Sequence, residues 1–327
     1  MTNDTESWKS RLVFFLGVNT GFVSDGQPDG RFLEFYRARS SARLHCAIVG
    51  NIVVPSGHGS NHSTPFIGSN PIWSELADAI SEGGTRPGIQ LATAWEGYRG
   101  SRSFLSADGS HVIERARELI SELGPAGIER TLDSFKIAAD LAAGHGFRHI
   151  QLHAAHGYLL SLLIDDRINP RAERVQVRLA ELASWLRQQG IESSLRISMR
   201  TGDDQFDQHG RSELLARLAS LPFDFVDLSS GFYNINKRLI YPSLDEVITS
   251  RLSDSVEVAE GNPSQQFILS GRMSQVVSDL PKNAHIGVCR DLIANPNFLA
   301  EPDNGCRSHN KCHYFSRGEN HITCARW

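Results

Sequence analysis

The chain has 327 residues with 33 Lys and Arg against 37 Asp and Glu, a formal charge of -4, so no basic excess is available to hold a phosphate backbone and nucleic acid is excluded as a partner class. Hydrophobic residues make up 40%, yet no apolar run approaches the roughly 18 residues that cross a bilayer, and the start from Met1 to Arg11 is polar; a cytoplasmic globular protein with no membrane partner is expected. This length suits one large α/β barrel or two domains, and it leaves a homo-oligomer open.

Eight short apolar runs bounded by turn residues read as strands, and helical periodicity follows each of them. Leu12–Val18 precedes a helix over Phe32–Ser41, and Cys46–Val54 precedes one over Pro71–Ser81. Gly88–Ala92 is followed by a long irregular stretch, Trp95–Gly127, rich in Gly, Ser and charge, and then by a helix over Ile128–Ala143. His149–Leu152 leads to Ala172–Gln188, Ser194–Ser198 to Arg211–Ala219, and Phe225–Leu228 to Ser243–Leu252. Gln266–Leu269 leads to Met273–Leu280 and His285–Val288 to Asp291–Leu299.

Several of these strands are continuously apolar, as parallel strands covered by helices are. Val175, Val177, Leu179, Leu182, Trp185 and Leu186 fall mainly on one side, the stripe that a helix lays on a sheet. Eight rounds of strand and helix predict an α/β fold of the (β/α)8 TIM barrel type over residues 1–300, with a short Cys/His-rich C-terminal tail over 301–327 packed on it. A doubly wound sheet with an appended domain competes, but no GxGxxG follows the first strand.

Chemistry in a barrel of this kind gathers at the carboxyl ends of the strands. There the chain places Asn19 and Thr20 after the first strand, Asn51 late in the second, Gln90 in the third, and His153, His156 and Tyr158 after the fourth. Arg196 lies in the fifth, Ser229-Ser230-Gly231 ends the sixth, Ser270-Gly271-Arg272 the seventh and Cys289-Arg290 the eighth. Two imidazoles and a phenol within six residues form a donor set for polarising a carbonyl and delivering a proton. The amides, hydroxyls and Arg196 suit the edge of a flavin ring, which needs donors, acceptors and positive charge along its pyrimidine side. The loops after strands seven and eight form the usual phosphate site of such barrels, which makes Gly271, Arg272 and Arg290 candidates for a mononucleotide phosphate.

These segments together resemble the Old Yellow Enzyme family of FMN-dependent ene-reductases, from about Arg11 to Leu299. His153-Ala-Ala-His156-Gly-Tyr158-Leu-Leu is similar to the family's substrate-activating signature, and Asn169-Pro-Arg171 to its Asn-x-Arg element. Gly88-Ile-Gln90-Leu, Leu195-Arg196-Ile-Ser198 and Cys289-Arg290-Asp-Leu-Ile-Ala-Asn295-Pro296 resemble its flavin-edge, flavin-ring and phosphate segments. The resemblance implies FMN as cofactor, NADPH or NADH as reductant, and an enone, enal or enoyl thioester as substrate. By the same resemblance His153 and His156 bind the activating oxygen and Tyr158 gives the proton, while flavin N5 gives the hydride. Gln90 and Arg196 would hold the pyrimidine edge, and Gly271, Arg272 and Arg290 the phosphate, with Asn19, Thr20, Asn51, Ser270 and Cys289 lining the cofactor. The chain departs from the family pattern at Gly17-Val18-Asn19-Thr20-Gly21, where a Pro-x-Thr or Pro-x-Cys is usual, and at Cys289, where Gly is usual.

Cys306-x-x-His309-x-x-Cys312-x11-Cys324 is similar to the iron–sulfur signature of the 2,4-dienoyl-CoA reductase branch, with His309 in one ligand position. Three thiolates and an imidazole suit [4Fe-4S] or zinc. Two other functions stay open: a flavin enzyme performing dehydrogenation, demethylation or isomerisation in a biosynthetic pathway, and a non-catalytic, metal-bearing barrel.

Overall fold

The structure is a computed structural model that describes residues 10–100, 102–105, 108–272 and 280–327. The strands in chain order are β1 (Val13–Phe15), β2 (Val23–Ser24), β3 (Gln27–Pro28), β4 (Cys46–Val53), β5 (Arg86–Ala92), β6 (His149–Ala154), β7 (Glu192–Ser198), β8 (Phe225–Ser229), β9 (Gln266–Leu269) and β10 (Ala284–Val288). Eight of them close a parallel barrel in the order β1-β10-β9-β8-β7-β6-β5-β4, and β2 pairs with β3 in a separate antiparallel hairpin. This is the (β/α)8 architecture expected from the alternation of strands and helices.

The strands are buried on both faces because helices cover the outside while side chains fill the inside. All eight residues of β4 and all six of β6 are buried. Three helices show how far periodicity carries. Ala172–Gln188 and Arg211–Ala219 form where apolar residues recur at helical spacing, whereas the last helix stops at Ala294 because Asn295 precedes Pro296. The helix predicted from Ser243 starts at Asp245 and continues to Gly261. Of the predicted helix Met273–Leu280, residues 273–279 lie outside the described part.

The stretch from Trp95 to Gly127 is not irregular throughout. A helix spans Gly109–Gly144, with the Asp108 carboxylate capping the His111 amide and a break at Gly124, whose φ of 61° and ψ of 178° let Pro125 open a second segment. Ile113, Ala116 and Ile120 form the buried face of the first segment. Charged neighbours Glu114, Arg115, Arg117 and Glu118 mask that stripe in the sequence. Among the described residues no helix is long and apolar enough to cross a membrane.

At the amino-terminal end of the barrel, Glu192 lies 2.6 Å from Arg86 Nη1, 2.6 Å from His149 Nδ1 and 2.9 Å from His45 Nε2. Burial alone would raise its pKa, but the hydrogen bonds from His149 and His45 outweigh this and hold the carboxyl below the usual carboxylate range. A depressed folded-state pKa contributes stability above the unfolded value of about 4.3, and that stability is lost as pH falls toward the folded value. Glu192→Gln is therefore expected to cost on the order of 2 kcal/mol at pH 7, with the difference from wild type shrinking below about pH 4. Urea unfolding across pH checks this; a difference that stays constant into acid would remove the carboxylate's charge from the account.

Candidate active site

The strand register places the inner-face polar groups in layers. Gln90 on β5 is level with Gln151 on β6, while His153 on β6 is level with Arg196 on β7 and Arg196 with Asp227 on β8. Because neighbouring strands present level residues to the same face, His153, Arg196 and Asp227 form one tier beneath the barrel mouth.

A turn after β6 brings two more groups back to that tier. His156 has φ +64° and Gly157 φ +77°, and a Cβ on Gly157 would stand 3.1 Å from the Phe232 ring. Two successive left-handed residues reverse the chain, and close approach to Phe232 requires glycine at the second. The Ser198 hydroxyl accepts from the His156 amide at 2.9 Å, and the His156 carbonyl accepts from the Tyr233 amide at 3.1 Å. As a result the His153 ring lies 5.1 Å from the His156 ring and 4.7 Å from the Tyr158 ring.

The electrostatics of this group follow from its burial. His153 and His156 are 3% and 4% exposed, and burial, reinforced by the Arg196 charge, pushes both pKa values well below 6.5, so both imidazoles are neutral at pH 7. The Ser229 hydroxyl accepts from Arg251 at 3.2 Å and lies 2.6 Å from His156 Nε2. A hydroxyl that accepts from Arg251 keeps its own proton and a second lone pair, so it can engage Nε2 in either His156 tautomer. His153 Nδ1 is buried with no hydrogen-bond partner among the described residues. Burial, followed by the neighbouring phenols of Tyr233 and Tyr98, raises the Tyr158 pKa well above 10. Tyr158 thus stays protonated; its hydroxyl accepts from Asn51 Nδ2 at 3.1 Å and also has Ser60 within side-chain hydrogen-bonding reach.

Next to this group, Gln90 gives its amide N–H to Gln151 Oε1 at 2.5 Å. That contact leaves Gln90 Oε1 as an acceptor beside Gly17, where a Cβ would stand 3.3 Å away. Behind Arg196, Asp227 is fully buried, with Oδ2 3.5 Å from Arg196 Nε and 3.2 Å from Gln151 Nε2.

The far end of the cavity is cationic. Arg251, 4% exposed, reaches back from the helix Asp245–Gly261 and donates to Ser270 Oγ at 2.5 Å, Ser229 Oγ at 3.2 Å and the Leu228 and Leu239 carbonyls. Gly271, at φ +99°, passes so close that a Cβ would stand 2.7 Å from Arg251 Nε. Arg251 Nε and Arg290 Nη1 are buried without partners among the described residues. The Cys289 thiol is pushed up to about 12, chiefly by burial, which keeps it protonated at pH 7.

All the candidate cofactor and catalytic residues except Thr20 line this one cavity. Thr20 is buried elsewhere: its hydroxyl accepts from the Phe22 amide at 3.2 Å and its carbonyl accepts from the Ile322 amide at 2.7 Å. Arg272 contributes to the lining, with its guanidinium donating to Ser308 Oγ and the Cys306 carbonyl. Sequence reasoning missed Arg251, Asp227, Tyr241 and His313. A lone Asp inside the apolar run Phe225–Leu228 was a usable signal, because a buried carboxylate needs a partner.

The proposed metal set at the tail is corrected. Among the described residues no group of three or more His, Cys, Asp or Glu side chains comes together to hold a metal ion. Cys306 Sγ accepts from the Ser308 amide and Cys324 Sγ from the Arg326 amide, so both serve local turns, while His309 is exposed and Cys312 lines the cavity. The tail is instead a strap over the barrel mouth. It is tied by Cys306 N to Asp291 Oδ1 at 2.8 Å, by Arg272 to Ser308 at 2.6 Å and by Trp327 Nε1 to the Ile293 carbonyl at 2.8 Å.

The orphaned atoms test the cavity against a flavin mononucleotide. A ring with donors and acceptors on one edge finds Gln90 Oε1 and Arg196, and a dianionic phosphate finds Gly271, Arg251 and Arg290. The residues present fit the group.

No family model matches the chain. It is 30% identical over 274 residues to an NADPH dehydrogenase of Geobacillus thermodenitrificans, covering 80% of this chain and 79% of the relative. It is 23% identical over 240 residues to the NADH-dependent flavin oxidoreductase nadA of Aspergillus parasiticus, covering 64% of this chain and 52% of that protein. The fold matches an old yellow enzyme homologue from Zymomonas mobilis with a TM-score of 0.63 at 18% identity, covering 90% of this chain and 89% of the other.

Proposed function

The chain belongs to the Old Yellow Enzyme family and is an NAD(P)H-dependent flavin oxidoreductase; from that premise we propose that it binds FMN and reduces the C=C bond of an α,β-unsaturated carbonyl compound. The observation that carries this reading is the meeting of two neutral imidazoles and one protonated phenol around buried, unpartnered polar atoms at the barrel mouth.

In this reading Gln90 Oε1 and Arg196 would hold the pyrimidine edge and Gly271, Arg251 and Arg290 the phosphate, with Asn19 and Asn51 in the same lining. Ser270, Arg272 and Cys289 shape that end. FMN held by these residues would, once reduced by NADPH or NADH, supply the hydride for the carbon β to the carbonyl. His153 and His156 hydrogen-bond the carbonyl oxygen. Because both are neutral, they stabilise the developing negative charge as donors without first forming an ion pair. Tyr158 delivers its proton to the α carbon, and Asn51 holds the phenol in place. Enones, enals and enoyl thioesters are the substrate classes that present such an oxygen.

Phenols test the donor pair without turnover, since a phenolate oxygen occupies the position of the carbonyl oxygen. Calorimetric titration with 4-methylphenol should give dissociation constants about tenfold or more higher for His153→Ala and for His156→Ala, the loss expected for a hydrogen bond to a charged oxygen. Unchanged titrations in both variants would remove these residues from the oxyanion site.

A further inference from the structure

The tail strap places one group in the cavity that this mechanism does not use. His313 lines the cavity, its ring 4.1 Å from the Tyr241 ring and 5.6 Å from the Phe104 ring. Its Nδ1 and Nε2 are both buried, and neither has a hydrogen-bond partner among the described residues. A buried polar atom left unpaired costs about 1–3 kcal/mol, and folded proteins rarely leave both nitrogens of an imidazole in that state without a use.

The route from His313 to the donor set is aromatic. Tyr241 gives or takes a hydrogen bond with Tyr233 at 2.7 Å, and the Tyr233 ring lies 5.5 Å from His156 and 5.9 Å from Tyr158. Two rings thus separate His313 from the oxygen-binding pair, along a wall suited to a flat conjugated molecule. Burial, then the charges of Arg290, Lys237 and Arg317, lowers the His313 pKa to about 4. The imidazole is therefore neutral at pH 7, offering one N–H and one lone pair in cationic surroundings that favour an electron-rich oxygen.

We propose that His313 is a second anchoring point for the substrate, hydrogen-bonding an oxygen at the far end of a flat conjugated compound whose activated oxygen sits at His153 and His156. The substrate class is then an unsaturated carbonyl compound with a second acceptor oxygen, such as an enedione, a quinone-like ring or an oxo acid. This rests on the reading of the donor pair given above.

The test compares 4-hydroxybenzaldehyde, which carries a second oxygen opposite its phenol, with 4-methylphenol, which lacks it, by calorimetry on the purified holoenzyme. Wild type should bind the aldehyde about tenfold more tightly than the methyl compound. His313→Phe, which keeps the ring stack and removes both nitrogens, should remove most of that preference, leaving the share due to the aldehyde's more acidic phenol, with 4-methylphenol affinity within about twofold. His313→Gln, which keeps a donor and an acceptor, should retain part of it. If 4-methylphenol binds and His313→Phe leaves the preference intact, or weakens both ligands equally, the assignment of His313 is overturned and the donor pair stands. If neither phenol binds wild type, the donor pair itself fails and the His313 assignment fails with it.

Discussion

Replacing Tyr158 with Phe should slow alkene reduction by about 10²–10⁴-fold, the usual worth of a positioned acid, while reduction of the bound flavin by NADPH proceeds at nearly the wild-type rate. The split arises because only the alkene half of the cycle needs a proton at carbon. Tyr158 is 4% exposed and packs against Ala92 and Ala94, and the substitution removes one oxygen while the ring still fills its site. Asn51 Nδ2 loses its acceptor at 3.1 Å, a modest structural cost beside the lost acid. Stopped-flow measurement of the two half-reactions separates them. Equal slowing of both would assign Tyr158 to cofactor or reductant binding and take the proton away from it.

The second large effect concerns charge. Arg196→Met should both empty the flavin site and destabilise the fold, because Asp227 is fully buried and its nearest cation is Arg196, 3.5 Å away. Removing one member of a buried pair leaves the other uncompensated at a cost of about 3–5 kcal/mol. The low end applies here, since burial has already raised the Asp227 pKa and the carboxylate can take up a proton. Adding Asp227→Asn to Arg196→Met removes the stranded charge, so stability should largely return while flavin occupancy stays low. Denaturant unfolding and the flavin-to-protein absorbance ratio report the two quantities independently. Full flavin occupancy in Arg196→Met would misplace this arginine, and a double variant no more stable than the single would dissolve the Arg196–Asp227 pair.

The barrel was legible because its strands are short, continuously apolar and separated by turn residues; Gln266–Leu269 coincides with β9 at both ends. Of the helix over Gly109–Gly144 only the second segment was, as Ile128–Ala143, since Gly124-Pro125 reads as a loop and the buried stripe of the first segment is interleaved with charge. At the site, His153, His156 and Tyr158 were readable because their spacing is local. Arg251 was not, because a charged residue in mid-helix ordinarily reads as a solvated face, and its reach back to Ser229 and Ser270 is a tertiary fact. His313 was hidden by its cysteine neighbours, which suggested a metal in a segment that straps the barrel mouth through Ser308, Cys306 and Trp327. Thr20 stands beside Asn19 in sequence, yet its hydroxyl is taken by the Phe22 amide and its carbonyl by the Ile322 amide, contacts that spacing alone does not reveal.

The central claim is that the imidazole pair and the phenol on and after β6 face a flavin ring held in the barrel mouth. A crystal structure of the holoenzyme with 4-methylphenol bound tests it most directly. The account predicts the flavin ring beside Gln90 and Arg196, the phenol oxygen within hydrogen-bond distance of both His153 and His156, and the Tyr158 hydroxyl directed at the phenol. A flavin bound elsewhere, or a phenol oxygen turned away from both histidines, would contradict it.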